Sequence, residues 1–377
     1  MKIAIVHDDL MRKAGGEQVV LSFHKAFPKA PIYTLCYDPE NTYSEFKQCD
    51  IRVTWFNKIA KNEEEMKKLF FPLGIFAMRQ HDLTEYDVIL ISTTYCAKYI
   101  TVSSKTIVIA YCHTPFRFAW RTDSYNQIIN SNWVKKKLYY TVAAIMRKVE
   151  RKSVKKINYF ITNALEVLPR IQNAYNIASS ITIIPPPVKM DNFYLAESCE
   201  KNYYLVVSRL EPYKRVDLVI NAFNKMPHKK LIIVGKGPIK ESLYKMVLGN
   251  NILFTGGVDA SQLAKYYAEC KALIFPQVED FGITPLEANA SGRPVIALGK
   301  GGVVETMIPY NFSKGNNFTA IFFNEQTEEF LTNAIAKFED LEHLINSDFI
   351  RSNALKFSEE SFVRQIQNFI HDKISKP

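Results

Sequence analysis

The chain has 377 residues, more than one compact core usually holds, so two domains are expected. Its 47% hydrophobic and 23% charged residues are typical of a globular protein, and no apolar run approaches the ~18 residues of a membrane-spanning helix. Residues 1–7 are too short and wrongly flanked for a signal peptide, so a cytoplasmic location is expected. Scattered single cysteines predict reduced, buried thiols. They are Cys36, Cys49, Cys96, Cys112, Cys199 and Cys270.

The net charge of +10 lies entirely in the first half of the chain. Residues 1–187 hold 26 Lys and Arg against 16 Asp and Glu, whereas residues 188–377 hold 22 of each. The excess is densest at 133–156, with nine basic residues and one acidic residue. Such a field favours an anionic partner, but no nucleic-acid motif accompanies it, so nucleic acid is disfavoured.

The first half predicts a parallel sheet with helices. Helices are predicted at 16–27, 63–80, 133–156 and 164–175, and the proline run 185–187 ends the domain. Seven short apolar runs predict strands: KIAIVH, PIYTLCY, DIRVTWF, YDVILIST, TIVIAYCHT, NYFITNA and ITIIP.

The second half alternates strand and helix patterns more regularly. Repeated units of this kind predict a doubly wound, Rossmann-like α/β domain in each half. We expect domains at 1–187 and 188–357, followed by a helix at 358–377 that begins at Ser358 and packs back on the first domain. The strand runs are YYLVVS, KLIIVG, ILFTGG, ALIFP and PVIAL.

Ligands of such sheets bind outside the carboxyl ends of the strands, and polar residues collect there. Gly15 and Gly16 open the first helix, where backbone N–H groups can approach an anion, although a flexible loop explains the glycines equally well. Arg209 follows the strand YYLVV, and Lys214 stands near the start of the next helix. Because cations are unfavourable at a helix N-terminus, a bound diphosphate explains them better than solvation does.

The segment EDFGITPLE, residues 279–287, admits two interpretations. Thr284 as N-cap and Glu287 three residues later fit a capping box, a purely structural role. Glu279 precedes that helix and Gly282 opens the turn, so a site that binds sugar hydroxyls through carboxylates is the alternative. Spacing alone does not separate the two.

His113 follows a strand in the segment YCHTPFRFAW and is placed for a site, with a polar loop residue as the alternative. Three aromatic residues follow it, and they either pack locally or form a platform for an acceptor. His7 and Asp8 end the first strand in the same way and are weaker candidates.

Together these motifs resemble those of retaining glycosyltransferases of the GT-B fold, family four, and among them bacterial O-antigen and polysaccharide mannosyltransferases. Glu279 and Glu287 match the family's E-x7-E motif, and SRLEPYKRVD matches its phosphate-binding segment. GGEQ resembles its glycine loop, although many relatives have Arg at the position of Gln18, and CHTPFRFAW resembles its histidine segment.

The resemblance implies a role for each candidate. Arg209 and Lys214 would hold the donor diphosphate and Glu279 the sugar, with His113 near the sugar's 6-position. Glu287 would bind the ribose. Backbone contacts would come from Gly15, Gly16, Val258, Gly282, Ile283 and Thr284. With no D-x-D motif, transfer without a metal or other cofactor is expected.

The implied reaction moves a hexose, mannose from GDP-mannose, to a lipid-linked or oligosaccharide acceptor in polysaccharide synthesis. A UDP-hexose or another GDP-sugar is the alternative donor. A nucleotide-sugar epimerase and a non-catalytic nucleotide-binding subunit are the alternative functions.

With a lipid-linked acceptor, the 133–156 segment would lie on anionic lipid at the inner face of the plasma membrane. The alternative for this segment is a core helix with solvated charged ends.

Overall fold

The computed structural model describes residues 1–121, 132–177, 180–196, 202–311, 315 and 317–375. The chain divides into two compact units, and the division falls directly after the proline run 185–187. The first unit comprises Met1–Pro187 and the chain from Phe362 onward, and the second comprises Val188–Ser361. Cys199 lies outside the described residues, and the other five cysteines are free thiols, four of them buried.

The strands of the first unit are Ile3–His7 (β1), Ile32–Thr34 (β2), Ile51–Val53 (β3), Val88–Thr93 (β4), Ile107–Cys112 (β5), Tyr159–Thr162 (β6) and Thr182–Ile183 (β7). They form one parallel sheet in the order β3-β2-β1-β4-β5-β6-β7. Every residue of β4 is buried, as expected of a central strand covered on both faces. The predicted alternation of strands and helices is therefore confirmed for this unit.

The helices between these strands are Gly15–Ala26 (α1), Glu63–Leu69 (α2), Ile75–Met78 (α3), Arg117–Trp120 (α4), Trp133–Ser153 (α5) and Leu168–Tyr175 (α6). The helix predicted over 63–80 is interrupted by a π-helical turn at Phe70–Gly74. Pro72 lies in that turn, where its missing N–H prevents a regular helical hydrogen bond.

The strands of the second unit are Tyr203–Val207 (β8), Lys230–Val234 (β9), Ile252–Gly256 (β10), Leu273–Phe275 (β11), Val295–Leu298 (β12) and Ala320–Phe323 (β13). They too are parallel, in the order β10-β9-β8-β11-β12-β13. The helices are Val216–Asn224 (α7), Lys240–Tyr244 (α8), Ala260–Glu269 (α9), Ile283–Ala290 (α10), Val303–Thr306 (α11), Glu328–Leu341 (α12) and Ser347–Leu355 (α13).

The last helix, Glu359–Ser375 (α14), begins after Ser358. Ser358 Oγ accepts a hydrogen bond from the Ser361 N–H at 3.3 Å, the contact of an N-cap residue. The Phe362 ring stacks on Phe23 with ring centroids 5.8 Å apart. With Ile366 and Ile370 it lies in the same buried cluster as strands of the first unit, so the apolar face of α14 completes that unit's core.

Both sheets have a topological switch point, the place where successive connections run in opposite directions. In the first unit β1 lies between β2 and β4, and His7 is in register with Ser92 at the carboxyl ends of β1 and β4. In the second unit β8 lies between β9 and β11. The residues that follow β8 and β11 include Arg209 and Glu279. Each unit therefore places candidate site residues where doubly wound sheets bind ligands.

Candidate active site

In the second unit, the loops after β8 and β11 are joined by an ion pair. The Lys214 ammonium donates to the Glu279 carboxylate, and Gln277 Nε2 donates to Glu279 Oε1 at 3.0 Å. Both charged side chains are largely covered, with 12% of Lys214 and 27% of Glu279 exposed. Two residues predicted to contact different parts of one ligand are thus in direct contact, and Glu279 has a structural partner that its position in the sequence does not reveal.

The remaining cations of this loop differ in their environment. Arg215 is the residue before α7 and adopts a left-handed backbone conformation with φ of 53°. Its guanidinium faces the carboxylate of Asp217 at 3.3 Å, in the first turn of that helix. Arg209 is 73% exposed, and its closest polar neighbours are Tyr213 Oη at 3.5 Å and a Glu211 oxygen at 3.8 Å. Arg209 is therefore the cation of this loop that is most open to an added anion.

The turn between the two glutamates differs from the predicted capping box. Helix α10 begins at Ile283, and its N-cap is Gly282, with φ of 85° and no side-chain cap. Thr284 therefore lies inside the helix, and Glu287 is too far along it to reach the N-cap. The capping-box interpretation is wrong because a positive φ, which glycine adopts without strain, starts the helix earlier. The first N–H groups of α10 consequently have no side-chain cap, and such groups suit an anion.

Glu287 instead contacts helix α9. Tyr267 Oη donates to Glu287 Oε2 at 2.7 Å, and this tyrosine side chain is fully buried. Burial raises the pKa of Glu287 above its usual value, and the hydrogen bond from Tyr267 opposes part of that rise. The contact fixes one carboxylate oxygen of Glu287.

Gly301 and Gly302, which the sequence reasoning missed, lie against the loop that carries Glu279. The Gly302 N–H donates to the Glu279 carbonyl at 2.8 Å. A Cβ on Gly302 would lie 2.4 Å from the Asp280 carbonyl oxygen, so any larger residue would displace the loop. The signal was the glycine pair in KGGV between strand β12 and helix α11, the same pattern that singled out Gly15 and Gly16. Val258, predicted to contact a base, is half-buried against the core after β10.

In the first unit, His7, Ser92 and His113 form a hydrogen-bonded group at the carboxyl ends of β1, β4 and β5. His7 Nδ1 lies 3.0 Å from the Ser92 carbonyl oxygen and 3.1 Å from Ser92 Oγ. Ser92 Oγ lies 2.9 Å from His113 Nε2. Burial and the neighbouring His7 lower the pKa of His113 to about 4, so its imidazole is neutral at physiological pH. Ser92 was missed by the sequence reasoning.

The glycine loop lies against this group. Helix α1 begins at Gly15 without a side-chain cap. A Cβ on Gly16 would lie 3.4 Å from His7 Cε1 and 3.8 Å from His113 Nε2. The structure thus brings Gly16 and His113, two predicted site residues, into one cluster with His7.

The carboxylate of Asp8, the other weak candidate, accepts five hydrogen bonds from residues of its own unit. Its carboxylate accepts hydrogen bonds at 2.5–3.0 Å from the Thr93 hydroxyl and from four backbone N–H groups, those of Thr94, Tyr95, Cys96 and Ala97. Burial alone would raise the pKa of Asp8, but the charges of His7 and Lys98 and these N–H groups bring it below the usual value. Asp8 therefore organises the loop after β4.

The aromatic residues after His113 pack locally. Phe116 lies against Phe70 and Tyr95, with ring centroids 5.9 and 6.0 Å away. Trp120 Nε1 donates to Glu150 at 2.8 Å, and Glu150 forms a fully buried ion pair of 2.6 Å with Lys98. These contacts support the local-packing interpretation over an acceptor platform.

Helix α5 carries the densest positive charge and a partly apolar exposed surface. One face is buried through Tyr139, Ala143, Met146 and Glu150, at helical spacing. Large apolar side chains elsewhere on the helix are exposed, including Trp133, Val134, Leu138, Tyr140 and Ile145.

Among the described residues, none of the helices combines the length and apolarity needed to cross a bilayer, and no group of His, Cys, Asp and Glu has the arrangement of a metal site.

Residues 191–357 match the family described as glycosyl transferases group 1. A segment of 105 residues is 33% identical to the sulfoquinovosyl transferase SQD2 of Arabidopsis thaliana, covering 28% of this chain and 21% of that protein. Another of 165 residues is 32% identical to the GDP-mannose-dependent alpha-(1-6)-phosphatidylinositol monomannoside mannosyltransferase of Mycobacterium tuberculosis, covering 37% and 43%. These matches span less than half of either relative.

Longer matches are more distant. The alpha-1,3/1,6-mannosyltransferase ALG2 of Candida glabrata is 22% identical over 97% of this chain and 90% of its own length. Among solved structures, Anabaena HepE in complex with UDP is 16% identical, with a TM-score of 0.71 over 99% of this chain and 100% of that one. Sucrose-phosphate synthase from Thermosynechococcus elongatus has the same TM-score at 17% identity, over 100% of both chains. The predicted GT-B fold is confirmed.

Proposed function

We propose that this chain, whose residues 191–357 match the family described as glycosyl transferases group 1, transfers a hexose from a nucleotide sugar to a saccharide acceptor. The observation that carries the proposal is the ion pair of Lys214 with Glu279, beside the uncapped start of α10 at the switch point of the second sheet. A cation, a carboxylate and free helical N–H groups are the components that a sugar diphosphate requires.

In this proposal the positive groups stabilise the leaving diphosphate. As the bond to the sugar's anomeric carbon breaks, negative charge grows on the diphosphate, and cations held in place stabilise that state most. Arg209 and Lys214 supply the charge, and the backbone of Gly282, Ile283 and Thr284 supplies N–H donors. These groups provide a positive field without a metal ion, which is why we propose transfer without one.

We assign the two glutamates different partners. When the donor binds, the Glu279 carboxylate leaves Lys214 and turns to the sugar attached to the diphosphate. A carboxylate is well suited to accept hydrogen bonds from the sugar's hydroxyl groups. Glu287, oriented by Tyr267, accepts from the ribose, and the backbone at Val258 contacts the base. In the first unit Gly15 and Gly16 approach the diphosphate and His113 contacts the sugar. Retention of configuration, by attack on the face that the leaving phosphate vacates, needs no protein nucleophile.

GDP-mannose is the proposed donor. The mycobacterial relative is named as GDP-mannose-dependent, and ALG2 is named as a mannosyltransferase. A UDP-hexose is the second candidate, because HepE was solved with UDP. The proposed acceptor is a lipid-linked saccharide reached from an anionic membrane surface, on which α5 would lie with its lysines and exposed apolar side chains. That arrangement would place the protein at the inner face of the plasma membrane.

The experiment for the donor is a thermal-shift and calorimetric comparison of GDP, UDP and dTDP and their hexose derivatives. We expect GDP and GDP-mannose to stabilise the protein most, because ligands that bind the folded state raise its melting temperature. A clear preference for UDP would overturn the GDP-mannose proposal. Donor consumption without any acceptor would favour an epimerase, and binding without consumption under any condition would favour a non-catalytic subunit.

A further inference from the structure

The hydrogen bonds of His7, Ser92 and His113 determine where their protons lie. The Ser92 carbonyl oxygen, 3.0 Å from His7 Nδ1, can only accept, so His7 Nδ1 carries a proton. That proton also faces Ser92 Oγ at 3.1 Å, so the hydroxyl does not donate to His7. The single hydroxyl proton is then directed to the other neighbour of Ser92 Oγ, His113 Nε2, at 2.9 Å.

His113 Nε2 is consequently an acceptor. A neutral imidazole has one protonated nitrogen, so the proton of His113 is on Nδ1. No described residue hydrogen bonds to His113 Nδ1. His113 Nδ1–H therefore remains available to a ligand as a hydrogen-bond donor. A ligand hydroxyl would accept this hydrogen bond through its oxygen.

We propose that Ser92, oriented by His7, is a positioning residue that holds His113 as the neutral Nδ1-protonated tautomer and so presents an N–H donor to a hydroxyl of the transferred sugar. The sugar contact rests on the proposed function, whereas the tautomer does not. Ser92 touches neither substrate in this account, and it acts only through His113.

Two features make the arrangement rigid enough for this role. His7 and Ser92 are in register on neighbouring parallel strands, so the backbone fixes their separation. Ser92 is fully buried and 4% of His7 is exposed, so water does not compete for these hydrogen bonds.

Nitrogen-15 NMR of the full chain labelled at histidine tests the tautomer directly. Long-range proton–nitrogen correlations distinguish protonated from unprotonated ring nitrogens, and His113→Gln and His7→Gln variants assign the signals. We expect His113 to show a protonated Nδ1 and an unprotonated Nε2, and Ser92→Ala to convert it to a mixture or to the other tautomer. A protonated Nε2 in the wild type, or a Ser92→Ala spectrum with His113 unchanged, overturns the proposal, whatever reaction the protein catalyses.

Kinetics test the consequence for the sugar. Loss of one oriented hydrogen bond is expected to lower kcat/KM of Ser92→Ala about 5- to 10-fold. In a His113→Ala background the same substitution should have no further effect on kcat/KM, because Ser92 acts only through the His113 imidazole. An equal loss in both backgrounds would contradict a positioning role and indicate general destabilisation.

Thr106→Val is the matched control. Thr106 is buried in the same unit, and its hydroxyl donates to the Tyr86 carbonyl at 2.8 Å. It directly precedes β5, at the amino ends of the strands, whereas Ser92 lies near the carboxyl end of β4. It loses one buried hydroxyl hydrogen bond without touching the histidines. We expect Thr106→Val to keep the wild-type His113 spectrum and kcat/KM.

Discussion

Lys214 and Glu279 stand 65 positions apart in the chain and form a partly buried ion pair across the loops that follow β8 and β11. The pair holds the ammonium at the switch point of the second sheet, beside the start of α10. In the proposed reaction the diphosphate replaces Glu279 as the partner of Lys214, and Glu279 turns to the sugar. The predictions below follow from that exchange and from the environments of the neighbouring groups.

Removing the Glu279 carboxylate should separate binding from transfer. We expect Glu279→Ala to bind the nucleoside diphosphate within about 3-fold of the wild type, because Lys214 keeps its charge and loses a competitor. Transfer should fall by at least about 100-fold, since the sugar loses its hydroxyl acceptor. Calorimetry and a transfer assay measure the two effects.

Glu325→Ala, at an exposed carboxylate on the loop after β13, is the control and should behave as the wild type. Normal transfer by Glu279→Ala would show that the assigned role of Glu279 is wrong.

Truncating Arg209 should weaken both binding and transfer. Its guanidinium is exposed and lies 3.5 Å from Tyr213 Oη and 3.8 Å from a Glu211 oxygen, so a diphosphate can engage it without breaking a strong interaction. We expect Arg209→Ala to bind nucleoside diphosphate about 10- to 100-fold more weakly, as for loss of a charge-assisted hydrogen bond, and to bind the unphosphorylated nucleoside normally.

Lys225→Ala, at an exposed cation paired with Glu328, controls for net charge. If Arg209→Ala and Lys225→Ala weaken diphosphate binding equally, Arg209 has no specific contact with the ligand.

Glu287 should make the ligand-free protein less stable as the pH rises through the acid range. Burial raises the pKa of Glu287 above its ordinary 4.5, so the folded state binds the proton more tightly than the unfolded state does. The free energy of unfolding therefore falls as the pH increases from about 4.5 through the folded-state pKa.

Denaturant titrations of the wild type and Glu287→Gln across that range isolate the effect. The wild type should lose stability relative to Glu287→Gln as the pH rises, because glutamine does not titrate. A difference that stays constant with pH would show that the folded state does not raise the pKa of Glu287.

Helix α5 should bind anionic vesicles through two kinds of side chain. Lys135, Lys136 and Lys137 supply charge, and Leu138 and Ile145 supply exposed apolar surface. We expect flotation with vesicles of phosphatidylglycerol and phosphatidylcholine, and not with phosphatidylcholine alone. Reversing the three lysines to Glu, or changing Leu138 and Ile145 to Ser, should abolish it.

Leu248→Ser is the control, because Leu248 is the most exposed leucine of the second unit and lies outside α5. Equal flotation by the wild type and the lysine-to-Glu variant would contradict membrane binding through this helix.

The alternation of strands and helices and the positions of the strand-end candidates could be predicted because they depend on local hydrophobic patterns. The contacts that define the site could not. Glu287 meets Tyr267, 20 positions away on another helix, whereas the sequence suggested a local cap. The error came from Gly282, whose positive φ moves the helix start, a backbone choice that the capping pattern does not encode.

Ser92 shows the same limit in the first unit. A serine inside the apolar run VILIST gives no signal by itself. Only the register of β1 with β4 brings it between His7 and His113. The sequence predicted the strands but not which strands are neighbours, so this register could not be predicted.

The most direct test of the central claim is transfer by the purified protein from radiolabelled GDP-mannose to a panel of lipid-diphosphate-linked saccharides and alkyl mannosides, with Lys214→Ala and Glu279→Ala alongside. We expect an α-linked mannosyl product with the wild type and losses of at least about 100-fold with both variants. A β-linked product, no product from any nucleotide sugar, or full activity of both variants would contradict it.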